Sequence, residues 1–369
     1  MPGIYIHVPF CDGKCPYCDF YSLSGDDALM DRYVDAVCAA LERRTRAHGR
    51  ESAQTVYFGG GTPNLLGAER LAALLRQIAR TRDLDAAAEI TLEANPTHVD
   101  KAFFQAVRHA GFNRLSMGLQ SADPAQLHLL GRKHTARDVK QAVTAARDAG
   151  FGNISLDLML GLPGGGKETL QTSIDFCAAL GPEHISTYLL KIEPGTPFEK
   201  RELFLPTDDE AAEEYLFCVE ELKKHGYAQY EISNFAKPGK ESRHNLVYWH
   251  CEEYLGFGPG AHSYCAGKRF YYPRDLNAFL QGCDPVQDGT GGGFSEYAML
   301  QLRLTEGLQL ETCKARFQKE GEQNFQKLLQ NAKNCPPQLM RADSERIYFT
   351  PEGFLVSNTL LLTLLDGID

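Results

Sequence analysis

Three cysteines stand close together in the run Cys11-Asp12-Gly13-Lys14-Cys15-Pro16-Tyr17-Cys18. Thiolates this near in sequence can converge on one soft inorganic centre. Their spacing would also line one face of a helix. Gly13 and Pro16 lie inside the run, however, and a proline costs a helix interior about 3 kcal/mol. A loop is the better reading, and it leaves three sulfurs free to turn inward. Three ligands suit a 4Fe–4S cluster with one iron left open to a small molecule. A structural zinc would need a fourth protein ligand, and His7 is available for that. Three unrelated thiols are the plain alternative.

Further along, Gly59-Gly60-Gly61-Thr62-Pro63 follows an apolar strand and opens a helix, with Thr62 placed as N-cap and Pro63 at the first helical position. Glycines there let backbone amides approach a ligand. The run matches neither the phosphate-binding P-loop nor the dinucleotide fingerprint, so by itself it is a tight strand-to-helix turn. Glu93 ends the next strand and, taken alone, is a solvated loop carboxylate. Asp157 sits inside Ile154-Ser155-Leu156-Asp157-Leu158-Met159-Leu160. A carboxylate in so apolar a strand is expensive unless it is paired or ligand-bound.

The elements that would position these residues alternate regularly. Strands are expected near 3–7, 55–58, 89–93, 114–118, 153–158 and 184–190. Helical patterns fall near 28–48, 68–81, 101–110 and 135–149, and an amphipathic helix covers 208–225. Such βα units argue for a parallel sheet with right-handed crossovers. Six strands fall short of the eight that close a full barrel, so the economical fold is α/β, a partial (β/α)6 TIM-like barrel. Ligands bind such folds at the carboxyl ends of the strands, which is where Gly59 to Thr62, Glu93, Gln120 and Asp157 fall. Residues 1–228 would form the barrel. A loop-rich segment would cover 229–293. The remainder, 294–369, reads helix, helix, a strand pair near 346–349 and helix, a small α+β, winged-helix-like domain.

The chain has 369 residues, 43% of them hydrophobic, and a net charge of −10 from 38 basic and 48 acidic side chains. That balance disfavours non-specific nucleic-acid binding. Eleven cysteines at irregular spacing argue against a secreted disulfide framework. No signal-peptide pattern opens the sequence, and the apolar stretch 355–365 is too short to span a bilayer. A cytoplasmic protein without stable membrane insertion is expected.

The three-cysteine motif, Gly-Gly-Gly-Thr-Pro at 59–63 and Leu-Glu-Ala-Asn-Pro at 92–96 together resemble the radical S-adenosylmethionine (SAM) superfamily. The similarity to the group containing oxygen-independent coproporphyrinogen III dehydrogenases and heme chaperones covers nearly the whole chain. It implies a 4Fe–4S cluster on Cys11, Cys15 and Cys18. The open iron would take the amino and carboxylate groups of SAM, whose sulfonium one electron cleaves to a 5′-deoxyadenosyl radical. It further implies that Tyr5, Gly60 and Glu93 contact this cofactor. Tyr17, Gly61, Thr62, Gln120, Arg132, Asp157 and Lys191 match cofactor positions of the dehydrogenase, some of them serving a second SAM molecule there.

Two departures point to the chaperone branch. The dehydrogenases carry a further cysteine two residues after the third, where this chain has Phe20. The chaperones are similar to this chain there, and also in His-Asn-x-x-Tyr, matched by Arg243-His244-Asn245-Leu246-Val247-Tyr248-Trp249. The resemblance implies heme near this motif. His244 is a credible axial ligand, with structural bonding to a loop as the alternative and His250, Cys251, His262 and Cys265 as rivals. The expected partners are heme, acceptor hemoproteins and a low-potential electron donor, with a homodimer as one possible assembly. A radical dehydrogenase that decarboxylates porphyrinogen propionates is the competing reading.

Overall fold

The computed structural model describes residues 2–368. The barrel elements are β1 (Gly3–Val8), α1 (Asp27–His48), β2 (Glu51–Gly60), α2 (Gly67–Thr81), β3 (Arg82–Ala94), α3 (Lys101–Ala110), β4 (Arg114–Gln120), α4 (Pro124–Leu129), α5 (Ala136–Asp148), β5 (Ile154–Leu160), α6 (Lys167–Ala179), β6 (His184–Leu189) and α7 (Asp208–Lys224). Strands β1 to β6 lie side by side in chain order, all parallel. The expected six-stranded open barrel is therefore present. Its helices begin where side chains can cap them: Thr135 with Asp138, and Thr207 with Glu210, form reciprocal capping boxes at α5 and α7.

Alternation sorts the strand side chains into two sets. On β4, Leu115, Met117 and Leu119 are fully buried in the apolar core with the helices. The alternate set, Arg114, Ser116, Gly118 and Gln120, faces the barrel interior. The corresponding inward positions on neighbouring strands are equally polar: Tyr5 and His7, Tyr57, Thr91 and Glu93, Ser155 and Asp157, His184 and Ser186.

Residues 229–293 depart from the loop-rich expectation. After β7 (Ala228–Gln229) this stretch forms β8 (Asn234–Ala236), α8 (Arg243–Trp249), β9 (Tyr254–Phe257), β10 (His262–Cys265), β11 (Lys268–Tyr271), α9 (Leu276–Leu280) and β12 (Val286–Thr290). The order β12-β11-β10-β9-β1-β2-β3-β4-β5-β6-β8-β7 makes one twelve-stranded sheet. Strand β9 adds parallel to β1, from Gly3 opposite Tyr254 to Ile6 opposite Phe257. On the far edge β8 runs antiparallel to β6. These strands are only two to five residues long, too short for a period of two to register.

The chain ends in α10 (Phe294–Gln301), β13 (Leu308–Gln309), α11 (Leu310–Ala332), β14 (Met340–Ala342), β15 (Arg346–Phe349), α12 (Pro351–Leu355) and α13 (Ser357–Leu364). The small sheet has three strands, β13-β15-β14, where a pair was expected. Helix α11 is broken at Gln318, whose φ is 55°. Its core is continuous with that of the barrel. No helix among the described residues is long and apolar enough to cross a membrane.

Candidate cofactor site at the barrel mouth

The three cysteines lie on the loop that leaves β1, as expected. Backbone bonds tie this loop down: Cys11 N to Leu23 O at 3.0 Å, Leu23 N to Pro9 O at 2.8 Å, and Phe198 N to Pro16 O at 2.9 Å. The glycine turn after β2 lies against it, with Gly61 N donating to Val8 O at 2.8 Å and Thr62 N to Phe10 O at 2.6 Å. Gly61 has to be glycine, because a Cβ there would run into the Phe10 carbonyl. All three thiols are unpaired and half-buried. Donors converge on them: Thr62 Oγ1 at 3.5 Å from Cys11 Sγ, and Arg132 Nη1 at 3.7 Å from Cys15 Sγ.

Burial pushes the Cys18 thiol up, and the neighbouring Cys15 and Cys11 sulfurs add to the rise. Thiolates gathered here therefore need a cation, which cluster iron would supply. Among the described residues, no group of three or more His, Cys, Asp or Glu side chains, the three cysteines included, is already gathered around a metal-sized point. His7, the possible fourth zinc ligand, is engaged through both nitrogens, with Tyr5 OH and with Tyr21 O, each at 3.0 Å. The donor set fits a cluster whose irons are bound one thiolate each.

Behind the cysteine loop, Gly60 and Glu93 meet directly. The Gly60 amide donates to Glu93 Oε2 at 3.2 Å, and Tyr57 OH donates to Oε1 at 2.7 Å. Gly60 has φ 111°, and a Cβ there would lie 2.7 Å from the His7 ring. Burial raises the Glu93 carboxyl to about 7, with Asp157 adding to the rise against the Tyr57 and Gly60 donors and the Arg114 charge. Asp157 is raised to about 6, again chiefly by burial, while Ser186, Arg114, Ser116 and Arg132 pull it down. Ser116 Oγ donates to it at 3.3 Å. Two carboxyls that change charge near neutrality thus face each other's field inside the barrel.

The other expected residues divide. Tyr17 packs on Phe198 with ring centres 6.2 Å apart, on the same loop as Cys15 and Cys18, and neighbours Arg132. Gln120 ends β4 with φ 66°, beside Gly118, whose missing Cβ also leaves space for Arg132. Lys191 is not drawn into the barrel; it is exposed and pairs with Glu193 at 2.8 Å. Sequence reasoning missed Tyr57, Ser116, Ser186 and above all Arg114. That arginine is 2% exposed, and its Nε has no partner. The inward alternation of 114, 116, 118 and 120 was the signal available.

His244, read as either a heme ligand or a structural hydrogen-bonding residue, is fully hydrogen-bonded here. It lies in helix α8 and is 1% exposed. Glu89 accepts from the Arg243 and His244 amides at 3.3 and 3.1 Å, which caps the helix. The ring binds Thr55 Oγ1 through Nδ1 and Tyr248 OH through Nε2, both at 2.8 Å. Burial holds this imidazole neutral by lowering it to about 3. In this conformation neither nitrogen is open to iron. Of the rival ligands, Cys251 is buried, Cys265 Sγ accepts from Arg44 at 3.4 Å, and His250 lies 3.2 Å from Gln301. His262 is exposed and stacks on Tyr271.

A parallel barrel carrying a three-cysteine loop, a glycine turn and a mouth carboxylate defines a radical SAM protein. The Radical SAM superfamily signature matches residues 5–177. Over nearly its whole length the chain is similar to two proteins named heme chaperone HemW. It is 35% identical to that of Bacillus subtilis, covering 97% of each chain, and 36% identical to that of Mycobacterium tuberculosis, covering 98% of this chain and 94% of the relative. The chain belongs to this HemW family of the radical SAM superfamily. The coproporphyrinogen III oxidase HemN of Escherichia coli, described as a radical SAM enzyme, shares the fold at a TM-score of 0.84 and 22% identity, over 98% of this chain and 90% of that one.

Proposed function

We propose that this protein is a heme carrier that binds a 4Fe–4S cluster and SAM and hands heme to acceptor hemoproteins. Cys11, Cys15 and Cys18 would hold the cluster, with Tyr5, Gly60 and Glu93 among the residues holding SAM at its open iron. Arg132, Thr62 and Tyr17 would shield and orient the thiolate side, and Asp157, Gln120 and Gly61 complete the polar wall. When bound, the cluster would supply the single low-potential electron that the sulfonium needs. The protein's own contribution is to orient the cofactor and to fix the charge of Glu93 and Asp157.

The observation that carries the carrier reading is Phe20. It occupies the place of the dehydrogenases' extra cysteine and is 62% exposed at the tip of the cluster loop. Further exposed apolar side chains are Tyr188 and Leu189 at the end of β6, and Phe204 and Leu205 on the segment that follows it, a segment hydrogen-bonded to the cluster loop through Phe198. A flat apolar tetrapyrrole is suited to such a rim.

One preparation tests this. After anaerobic reconstitution with iron and sulfide, SAM and heme are titrated, and the heme-loaded protein is mixed with an apo-hemoprotein. The expected result is retention of both ligands, transfer of heme, and no protoporphyrinogen when coproporphyrinogen and a reductant are supplied. Robust decarboxylation without heme retention would assign the dehydrogenase activity instead.

A further inference from the structure

The motif helix α8 lies beneath the cofactor residues, and its contacts run upward into them. His244 and Tyr248 stand one turn apart and so share a face. Their side chains pack edge to face at 5.1 Å, and Tyr248 packs on Tyr254 at 4.6 Å. Above them the His244 ring stacks on Tyr57 at 5.1 Å with an interplanar angle of 24°, and lies 6.5 Å from Tyr5. Tyr57 is the residue whose hydroxyl donates to Glu93 at 2.7 Å, and Glu93 in turn holds the Gly60 amide. The imidazole is anchored at both ends, to β2 through Thr55 and to α8 through Tyr248.

We propose that His244 is a positioning residue for the SAM site: by stacking on Tyr57 it fixes the hydroxyl that orients Glu93. The inference rests on the reading that Glu93 and Gly60 hold that cofactor. It gives the motif a task in this conformation that needs no ring nitrogen to reach iron. Removing the imidazole opens space under Tyr57 and releases its ring. The hydroxyl then leaves Glu93, and the carboxyl loses its shortest donor.

The charge of Glu93 supplies the readout. It is faced by Tyr57 and the Gly60 amide, Asp157 from β5, Arg114 from β4, Tyr5 from β1, Tyr188 from β6 and Tyr248 from α8. Among these, the Tyr57 hydrogen bond is the foremost influence favouring the ionised form. Its loss shifts the titration of Glu93 upward, and with it the pH at which SAM binding reaches half its limit.

The experiment compares wild type with His244→Ala, His244→Gln and Tyr57→Phe after anaerobic reconstitution. Each protein is assayed for iron, for SAM affinity by equilibrium dialysis across neutral pH, and for heme affinity. All three variants should keep their iron, weaken SAM binding about three- to tenfold near neutrality, and move the binding midpoint to higher pH. Glutamine can still bond to Thr55 but offers no ring to stack, so it covers the case in which alanine does not fold. A wild-type midpoint and affinity in a folded His244 variant would overturn the proposal. So would loss of heme affinity alone, which would return His244 to the role of iron ligand. Weakened SAM binding with an unmoved midpoint would reduce His244 to a packing residue and likewise overturn it. Absence of SAM binding by the loaded wild type would instead overturn the functional reading on which it rests.

Discussion

Glu93, proposed to hold SAM, carries a folding penalty in the same side chain. The folded carboxyl titrates near 7, whereas an unfolded glutamate titrates near about 4.3. Between these values the folded state holds more protons than the unfolded one, so stability falls as pH rises through that window. Glu93→Gln should therefore stabilise the apoprotein by about 1–3 kcal/mol near pH 8 and by much less near pH 5. Urea unfolding at both pH values checks this, and a gain independent of pH would rule out the strained carboxyl. The same variant should bind SAM more weakly. Replacing any one of Cys11, Cys15 or Cys18 by serine should remove the cluster absorbance of anaerobically reconstituted protein; stoichiometric zinc without iron or sulfide in the wild type would contradict the cluster. At this scale the cysteine loop and the glycine turn were legible as candidates, because each belongs to a local pattern, whereas Glu93 taken alone read as a solvated carboxylate and was singled out by the resemblance. Tyr57 and Arg114 were not, because a lone tyrosine or arginine in a strand gains its meaning from partners on other strands. Lys191 is the converse case: a matching position whose side chain turns to solvent and to Glu193.

Among the elements, α8 depends on a cap from a distant strand. Glu89 sits near the middle of β3, is almost fully buried, and accepts two amides of the first turn of α8. Glu89→Ala leaves those amides without an acceptor and should cost about 1–3 kcal/mol. Chemical denaturation measures the loss, and a neutral result would mean that water replaces the cap. Gly61→Ala tests the other joint, since its Cβ would collide with the Phe10 carbonyl and push the cysteine loop off the glycine turn. Iron loading should fall while the helical content stays. The parallel strands and helices α1, α2, α3, α5 and α7 could be read from the sequence because apolar runs, N-caps and closing glycines are contained in them; α4 and α6 were not anticipated. Strands β7 to β12 could not, since each is specified by the edge it joins more than by its own few residues.

For the molecule as a whole, the exposed apolar side chains around the proposed cargo site can be tested separately from the fold. Phe204 is 85% exposed, so Phe204→Ser should leave the melting temperature nearly unchanged. Heme retention should nevertheless drop about two- to tenfold if the cargo rests against this rim. Unaltered heme titration would move the cargo elsewhere. A last consequence follows from the pairing of β1 with β9. The first strand finds β2 within some sixty residues of chain, but its other edge stays open until Tyr254–Phe257 are made. Synthesis therefore separates the two events that fix the cysteine loop. A nascent chain that has passed β2 carries the three thiols on a loop whose supporting strand, β1, is paired on one side only. Loop closure of this span is slow compared with local pairing. Metal capture should consequently be a late step, and chains halted before residue 254 should take up little iron beside released full-length protein.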